Sequence, residues 1–110
     1  MATQKRVIAY RDAAAAKEPF SDWLRGLRDA QARRRVLRRL LRVESGNYGD
    51  CRSLKDGVLE LRFVFGPGYR VYFGEDGDTI VVLLCGGDKS SQVQDIARAK
   101  EYWKEYLRHV

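Results

Sequence analysis

The sequence predicts an α+β fold in which helices pack on one antiparallel sheet. Three observations predict it. Apolar residues recur at helical spacing between residues 18 and 45, the period falls to two from Cys51 to Cys85, and helical spacing returns from Ser90 to the end. The 110 residues have the length of one domain, residues 1–110, and at 45% hydrophobic residues they can fill a small core. Two prolines, no internal repeat and no low-complexity tract argue against disorder.

Each element has its own signal. "KRVIAYRD" (5–12) is rich in β-branched and aromatic residues and predicts a first strand. "EPFSDWLRGL" (18–27) offers Pro19 at a first helical position and apolar Phe20, Trp23, Leu24 and Leu27 at helical spacing. Residues 29–45 predict a second helix. Ala32, Val36, Leu40 and Val43 form its apolar stripe, widened by Leu37 and Leu41, and Arg34, Arg35, Arg38, Arg39 and Arg42 fall in the opposite arc. "SGNYGD" stops that helix with glycine and turn formers. "CRSLKDG" predicts a short strand and a turn.

The next strands alternate. "VLELRFVF" places Leu59, Leu61, Phe63 and Phe65 on one face, and "YRVYF" places Tyr69, Val71 and Phe73 on one face with Arg70 and Tyr72 on the other. "TIVVLLC" is apolar on both faces, as a strand covered on both sides would be. Keeping the two aromatic faces together favours a three-residue loop, Gly66, Pro67 and Gly68, with Gly68 left-handed. That loop pairs Phe65 with Tyr69, Arg62 with Tyr72 and Val64 with Arg70. Asp76 and Gly77 signal a two-residue turn pairing Phe73 with Ile80, Arg70 with Leu83 and Tyr72 with Val81. The last segment predicts a helix with Ser91 and Gln94 at capping-box spacing. Its apolar stripe is Val93, Ile96, Ala99, Trp103, Tyr106 and Val110.

Charge is concentrated. The formal net charge is +6, and the excess lies in the first fifty residues. Six arginines, Arg33, Arg34, Arg35, Arg38, Arg39 and Arg42, fall within ten residues that contain no acid. Such a block attracts a polyanion or an acidic protein, or it is simply a solvated helix face. Cys51 and Cys85 form neither a disulfide framework nor a metal knuckle, so they are expected to be buried thiols in a reducing compartment. "MATQKRVIAYRD" lacks the apolar core of a signal peptide and no run approaches a membrane span, which predicts a cytoplasmic protein.

"SLKDGVLELRFVFGPGYRVYF" followed by "DGDTIVVLLCGGDKSSQVQDIARAKEYW" resembles the killer-protein branch of the RelE/ParE toxin superfamily, the branch described as HigB-like or phage Gp49-like. The resemblance covers nearly the whole chain. It implies a RelE-like fold: an N-terminal strand and helical hairpin packed on one face of an antiparallel sheet, plus a C-terminal helix. It implies a small cytoplasmic toxin of a type II toxin–antitoxin module, neutralised by a cognate antitoxin with a helix-turn-helix domain. Most branches cleave mRNA at the ribosome, without metal or other cofactor. The ParE branch instead poisons DNA gyrase, and a third possibility is a basic nucleic-acid-binding domain without toxicity.

RNA cleavage by the message's own 2′-hydroxyl needs a base, a cation at phosphorus and an acid for the leaving oxygen. The single histidine, His109, sits at the chain end and is expected to be a surface residue; no metal-ligating motif occurs. The chemistry would therefore rest on Lys, Arg, Tyr and Glu. By resemblance, Arg70 of "GYR" is the leading candidate to hold the scissile phosphate; otherwise it only pairs with Glu60 or Asp88. Lys89 of "GGDKSS" would bind phosphate or stabilise the leaving oxygen, and Lys55 lies near where related toxins carry a lysine. Arg62 is a second phosphate contact. Tyr72 would stack on a base or donate its proton, and Glu60 would act as base or merely neutralise Arg62. "KSSQVQD" lacks the tyrosine that the best-known nucleases place in the first turn of the last helix, which leaves acid and base unassigned. Ser90 and Ser91 are expected as helix caps. The arginine face of the second helix would grip ribosomal RNA or receive antitoxin acids.

Overall fold

The computed structural model describes residues 4–110. The first three residues of the amino-terminal stretch lie outside the described part. The fold is α+β and consistent with a RelE-like fold. Its elements are β1 (Arg6–Ala9), α1 (Pro19–Gly26), α2 (Ala30–Glu44), β2 (Cys51–Ser53), β3 (Val58–Arg62), β4 (Arg70–Asp76), β5 (Ile80–Gly87), a 3-10 turn (Lys89–Ser91) and α3 (Gln92–Arg108). The five strands form one sheet in the order β1-β5-β4-β3-β2. β2 to β5 are an antiparallel meander, and β1 joins the β5 edge in parallel. The crossover through α1 and α2 makes that parallel pairing possible.

Each sheet face has its own core. Val71, Phe73, Leu61, Val81 and Leu83 meet Phe20 of α1 and Val36, Leu40 and Val43 of α2. Val58, Tyr72, Val82 and Leu84 face Ala99 and Trp103 of α3. A glycine seats a tryptophan on each side. Gly74 lies beneath Trp103, and Gly86 lies beneath Trp23. Without those bare backbone positions neither indole could lie flat on the sheet.

The helix starts follow their local chemistry. Pro19 opens α1, and the Asp29 side chain caps α2 by accepting from the Gln31 and Ala32 amides at 2.9 and 3.3 Å. At the other end of the chain the capping box is shifted from its expected place. Asp88 accepts from the Ser90 amide at 2.8 Å and its own amide donates to Ser91 Oγ, so the box belongs to the 3-10 turn. Ser91 Oγ instead donates to Asp95 Oδ2 at 2.5 Å.

Three apolar expectations fail for geometric reasons. Leu37 and Leu41 remain 48% and 61% exposed, because the stripe centred on Val36 and Leu40 already fills the contact with the sheet. Val93 is exposed because Gln92, not Val93, lies in line with Ala99 and Trp103 at 100° per residue. Val110, beyond the last turn of α3, is exposed as well. Cys51 is half-buried and Cys85 is buried, both as free thiols. Burial pushes the Cys85 thiol up to about 12, with Asp95 adding to the effect. No helix among the described residues is long and apolar enough to cross a membrane.

The faces of β3 and β4 are as expected, but both hairpin registers differ and β5 is turned over, with Val81 and Leu83 on the Phe73 face and Ile80 on the Tyr72 face. Arg62 pairs with Arg70 and Glu60 with Tyr72, not Arg62 with Tyr72 or Val64 with Arg70. The Phe63 amide donates to the Tyr69 carbonyl, so residues 64–68 form a five-residue loop. This shift of two residues leaves every side chain of β3 and β4 on its predicted face. Between β4 and β5, Asp76 pairs with Ile80 and Phe73 with Leu83, so a three-residue loop replaces the two-residue turn. A bulge between Tyr72 and Phe73 then brings Tyr72 opposite Cys85 and Arg70 opposite Gly87, not opposite Val81 and Leu83. β5 is apolar on both faces, so its pattern could not select the register.

The tight seat under α3 has a measurable consequence. A Cβ added at Gly74 would stand 2.5 Å from the Trp103 ring. Gly74→Ala is expected to lower unfolding free energy by about 1–3 kcal/mol, as overpacking does, in urea denaturation followed by tryptophan fluorescence.

Candidate functional site

Register brings the candidate residues together in two rows on the α3 face. One row runs Arg52, Glu60, Tyr72, Cys85 across β2, β3, β4 and β5. The adjoining row runs Arg62, Arg70, Gly87. Glu60 and Arg70 are therefore diagonal neighbours, within reach of long side chains.

The first row is sealed at its centre. Glu60 and Tyr72 are both 0% exposed. Glu60 Oε1 accepts from Arg52 Nε at 3.0 Å, and Oε2 accepts from Gln92 Nε2 of α3 at 2.9 Å. Arg70 Nε stands 3.6 Å from Glu60 Oε2 as an ion pair, while its Nη1 donates to the Gly68 carbonyl at 2.6 Å. The Tyr72 hydroxyl is buried and has no hydrogen-bond partner among the described residues. Burial pushes its ionisation up, and the Glu60 and Asp95 carboxylates push it the same way. Tyr72 in this position can neither stack on a base nor give up a proton readily. Glu60 has both oxygens engaged and is closed off from any substrate.

The second row opens at its outer end. Arg62 is exposed and reaches toward Asp50, Nε to Oδ2 at 3.9 Å. Lys89 is exposed, and its amide donates to the Pro67 carbonyl at 3.3 Å, which ties the turn before α3 to the β3–β4 loop. Arg70 and Lys89 straddle Gly68. A Cβ there would lie 3.1 Å from Arg70 Nη1 and 3.4 Å from Lys89 Cβ. Gly68 has φ +76°, so the left-handed conformation and the lack of a side chain are both needed. Hydrogen bonds from Ser90, led by its hydroxyl, hold the nearby Asp88 carboxyl below its usual range.

Lys55 does not join this group. It lies in the β2–β3 turn, beyond Val58, whereas Arg62 and Arg70 occupy the other end of the strands. Four residue steps at ~3.3 Å each put the two ends ~13 Å apart. The arginines of α2 divide in two. Arg39 spends its guanidinium inside the fold, donating to the carbonyls of Tyr48, Arg62 and Asp50 at 2.8 to 2.9 Å. Arg34, Arg35, Arg38 and Arg42 stay exposed. Arg35, Arg38 and Arg42 border a groove of ≈ 310 Å³ that also takes in Arg62 and the rings of Phe63 and Phe65. The Arg35 guanidinium lies 4.6 Å from the centre of the Phe65 ring, a cation–π contact that holds it in place.

Two partners of Glu60 escaped sequence reasoning, Gln92 and Arg52. Gln92 had a legible signal, since it falls two turns before Ala99 on the inward stripe of α3. A polar side chain at such a position needs a buried partner. Arg52 had none, because a three-residue edge strand carries too little alternation to show a face.

The model of the family "Phage derived protein Gp49-like (DUF891)" matches residues 22–104, from α1 to the last turns of α3. The chain belongs to this Gp49-like family. An uncharacterized protein of Haemophilus influenzae (strain ATCC 51907 / DSM 11121 / KW20 / Rd) is 46% identical over 81 residues, covering 74% of this chain and 82% of that one. The Gp49-like family is associated with toxin–antitoxin addiction modules, which implies an antitoxin partner. The matched span of this Gp49-like chain contains both rows and the α2 groove. Among the described residues, no group of three or more His, Cys, Asp and Glu side chains could hold a metal ion.

The buried row separates stability from chemistry. Tyr72→Phe removes a buried hydroxyl that has no partner and is expected to leave stability unchanged or raise it by up to about 1 kcal/mol. Glu60→Ala leaves the buried Arg70 guanidinium uncompensated and is expected to cost about 3–5 kcal/mol. Urea unfolding of both variants checks the pair.

Proposed function

We propose that this Gp49-like protein is a single-domain cytoplasmic toxin of the HigB-like branch of the RelE/ParE superfamily, which arrests growth by cleaving mRNA on the ribosome. A neighbouring helix-turn-helix antitoxin neutralises it. The observation that carries this reading is the direct cross-strand pairing of Arg62 with Arg70, with Lys89 across Gly68 from Arg70. Like charges directly opposite on a sheet cost stability. One carboxylate, Glu60, offsets Arg70 from beneath, and Asp50 lies at the far side of Arg62. Arg70 itself is only 9% exposed, so the excess positive charge meets solvent chiefly through Arg62 and Lys89 at the strand ends, where a phosphate would complete it.

In this reading Arg70 and Arg62 hold the non-bridging oxygens as the message's O2′ attacks phosphorus. The P–O5′ bond breaks, a 2′,3′-cyclic phosphate forms, Lys89 gives a proton to O5′, and the 2′-hydroxyl proton leaves to water. The α2 groove holds RNA backbone leading to that point. Glu60 is a positioning residue for Arg70 and not the base. A second reading is toxicity by binding alone, as in a gyrase poison. It is favoured by the sealing of Glu60 and Tyr72, two side chains chosen as chemical groups, beneath α3.

Lys89 offers the cleanest test, because its exposed side chain makes no hydrogen bond or ion pair among the described residues. Induced wild-type protein is expected to stop growth and to leave new mRNA 5′ ends inside translated codons. Lys89→Ala is expected to cut less by about 100-fold or more, the ordinary loss of a general acid, with an unchanged melting temperature. Growth arrest with intact mRNA and a DNA-damage response would replace cleavage by gyrase poisoning.

A further inference from the structure

α2 presents three sectors rather than two. At 100° per residue, Val36, Leu40, Val43 and Ala32 point to the sheet, and Arg35, Arg38, Arg39 and Arg42 turn toward the groove beside β3. Between these, on the α1 side, Ala30, Leu37 and Leu41 form a narrow apolar ledge. Leu37 and Leu41 stand one turn apart and are 48% and 61% exposed. The ledge continues into a cleft of ≈ 570 Å³ against Leu24 and Arg25 of α1, bordered by Arg33 and Arg34. Arg33 Nη1 donates to the Leu27 carbonyl, which braces the α1–α2 turn and fixes the cleft wall.

We propose that this ledge is a docking surface for an acidic amphipathic helix of a partner protein. Two leucines at i and i+4 on an exposed face fit the apolar stripe of one facing helix. The charges around them select its sign. Arg33, Arg34 and Arg38 flank the leucines, Arg25 being paired with Asp22, and α2 carries no acid before Glu44 in its last turn. A second copy of this chain would oppose arginine to arginine across α2 and is disfavoured. Nucleic acid makes no use of the leucines, and the groove on the other side of α2 meets its needs better. A membrane surface would demand a wider apolar face than two leucines provide. This surface is separate from Arg62, Arg70 and Lys89, and the proposal does not depend on cleavage.

The test uses the full chain and a fluorescent synthetic helix of about 16 residues, with leucines at i, i+4 and i+7 between glutamates. A scrambled peptide of the same composition and a short single-stranded RNA serve as the other probes. The patterned peptide is expected to bind at least about tenfold more tightly than the scrambled one. Leu37→Ser with Leu41→Ser is expected to abolish that advantage, and Arg34→Gln with Arg38→Gln to weaken the patterned peptide by about tenfold. All four side chains are exposed, so circular dichroism and melting temperature should not move, and RNA affinity of the serine variant should stay unchanged. Equal binding of both peptides would overturn the proposal, as would loss of RNA binding in the serine variant. So would no peptide binding at about 1 mM, or a dimer in light scattering that the serine variant dissolves.

Discussion

The carboxylate of Glu60 has no contact with solvent, and three parts of the fold close on it. Arg52 reaches it from the edge strand β2, Gln92 from the first turn of α3, and Arg70 from the adjacent strand β4. A buried charge is tolerable only when it is paired and hydrogen-bonded, so each of these partners is constrained in turn. Gln92 anchors the start of α3 over the sheet. Arg52 holds the short strand β2 in register, and Arg70 is left with its outer end directed at Gly68 and Lys89. The geometry of the exposed cationic end therefore depends on one acid that no substrate can reach.

The same arrangement explains why the chain needs helices on both faces. α3 seals Glu60 and Tyr72 while Trp103 rests on Gly74, and α1 sets Trp23 on Gly86 from the other side. With both faces covered, little sheet surface remains for binding. Recognition is left to the strand ends and to α2. Only one sector of α2 is used for packing, and the remaining two carry arginines and leucines in separate rows.

Much of this was legible in the sequence because side-chain alternation survives errors of register. Arg70, Tyr72, Glu60 and Arg62 share a face as the period of two requires, although the β3–β4 partners moved by two residues and the β5 partners by four. The loop lengths were not legible. Glycine at 68 and 77 marks a turn but fits several turn lengths, and the doubly apolar β5 accepts more than one pairing. Burial of the polar face was not legible either. Tyr72 and Glu60 look like surface residues in an alternating strand until the polar inward turn of α3, Gln92 and Asp95, is placed over them. Lys55 failed for a simpler reason: proximity in sequence to β3 does not say which end of the strand a turn occupies.

If the outer end of the Arg62–Arg70 row cuts RNA through the message's own hydroxyl, the substrate itself can report it. The direct measurement is cleavage of a defined message on programmed ribosomes, with a single 2′-deoxynucleotide placed at the cut site. The all-ribose message is expected to yield 2′,3′-cyclic phosphate ends and the deoxy-substituted message to stay whole at that position. Cleavage of the deoxy message at the same bond, or an intact all-ribose message, would contradict it.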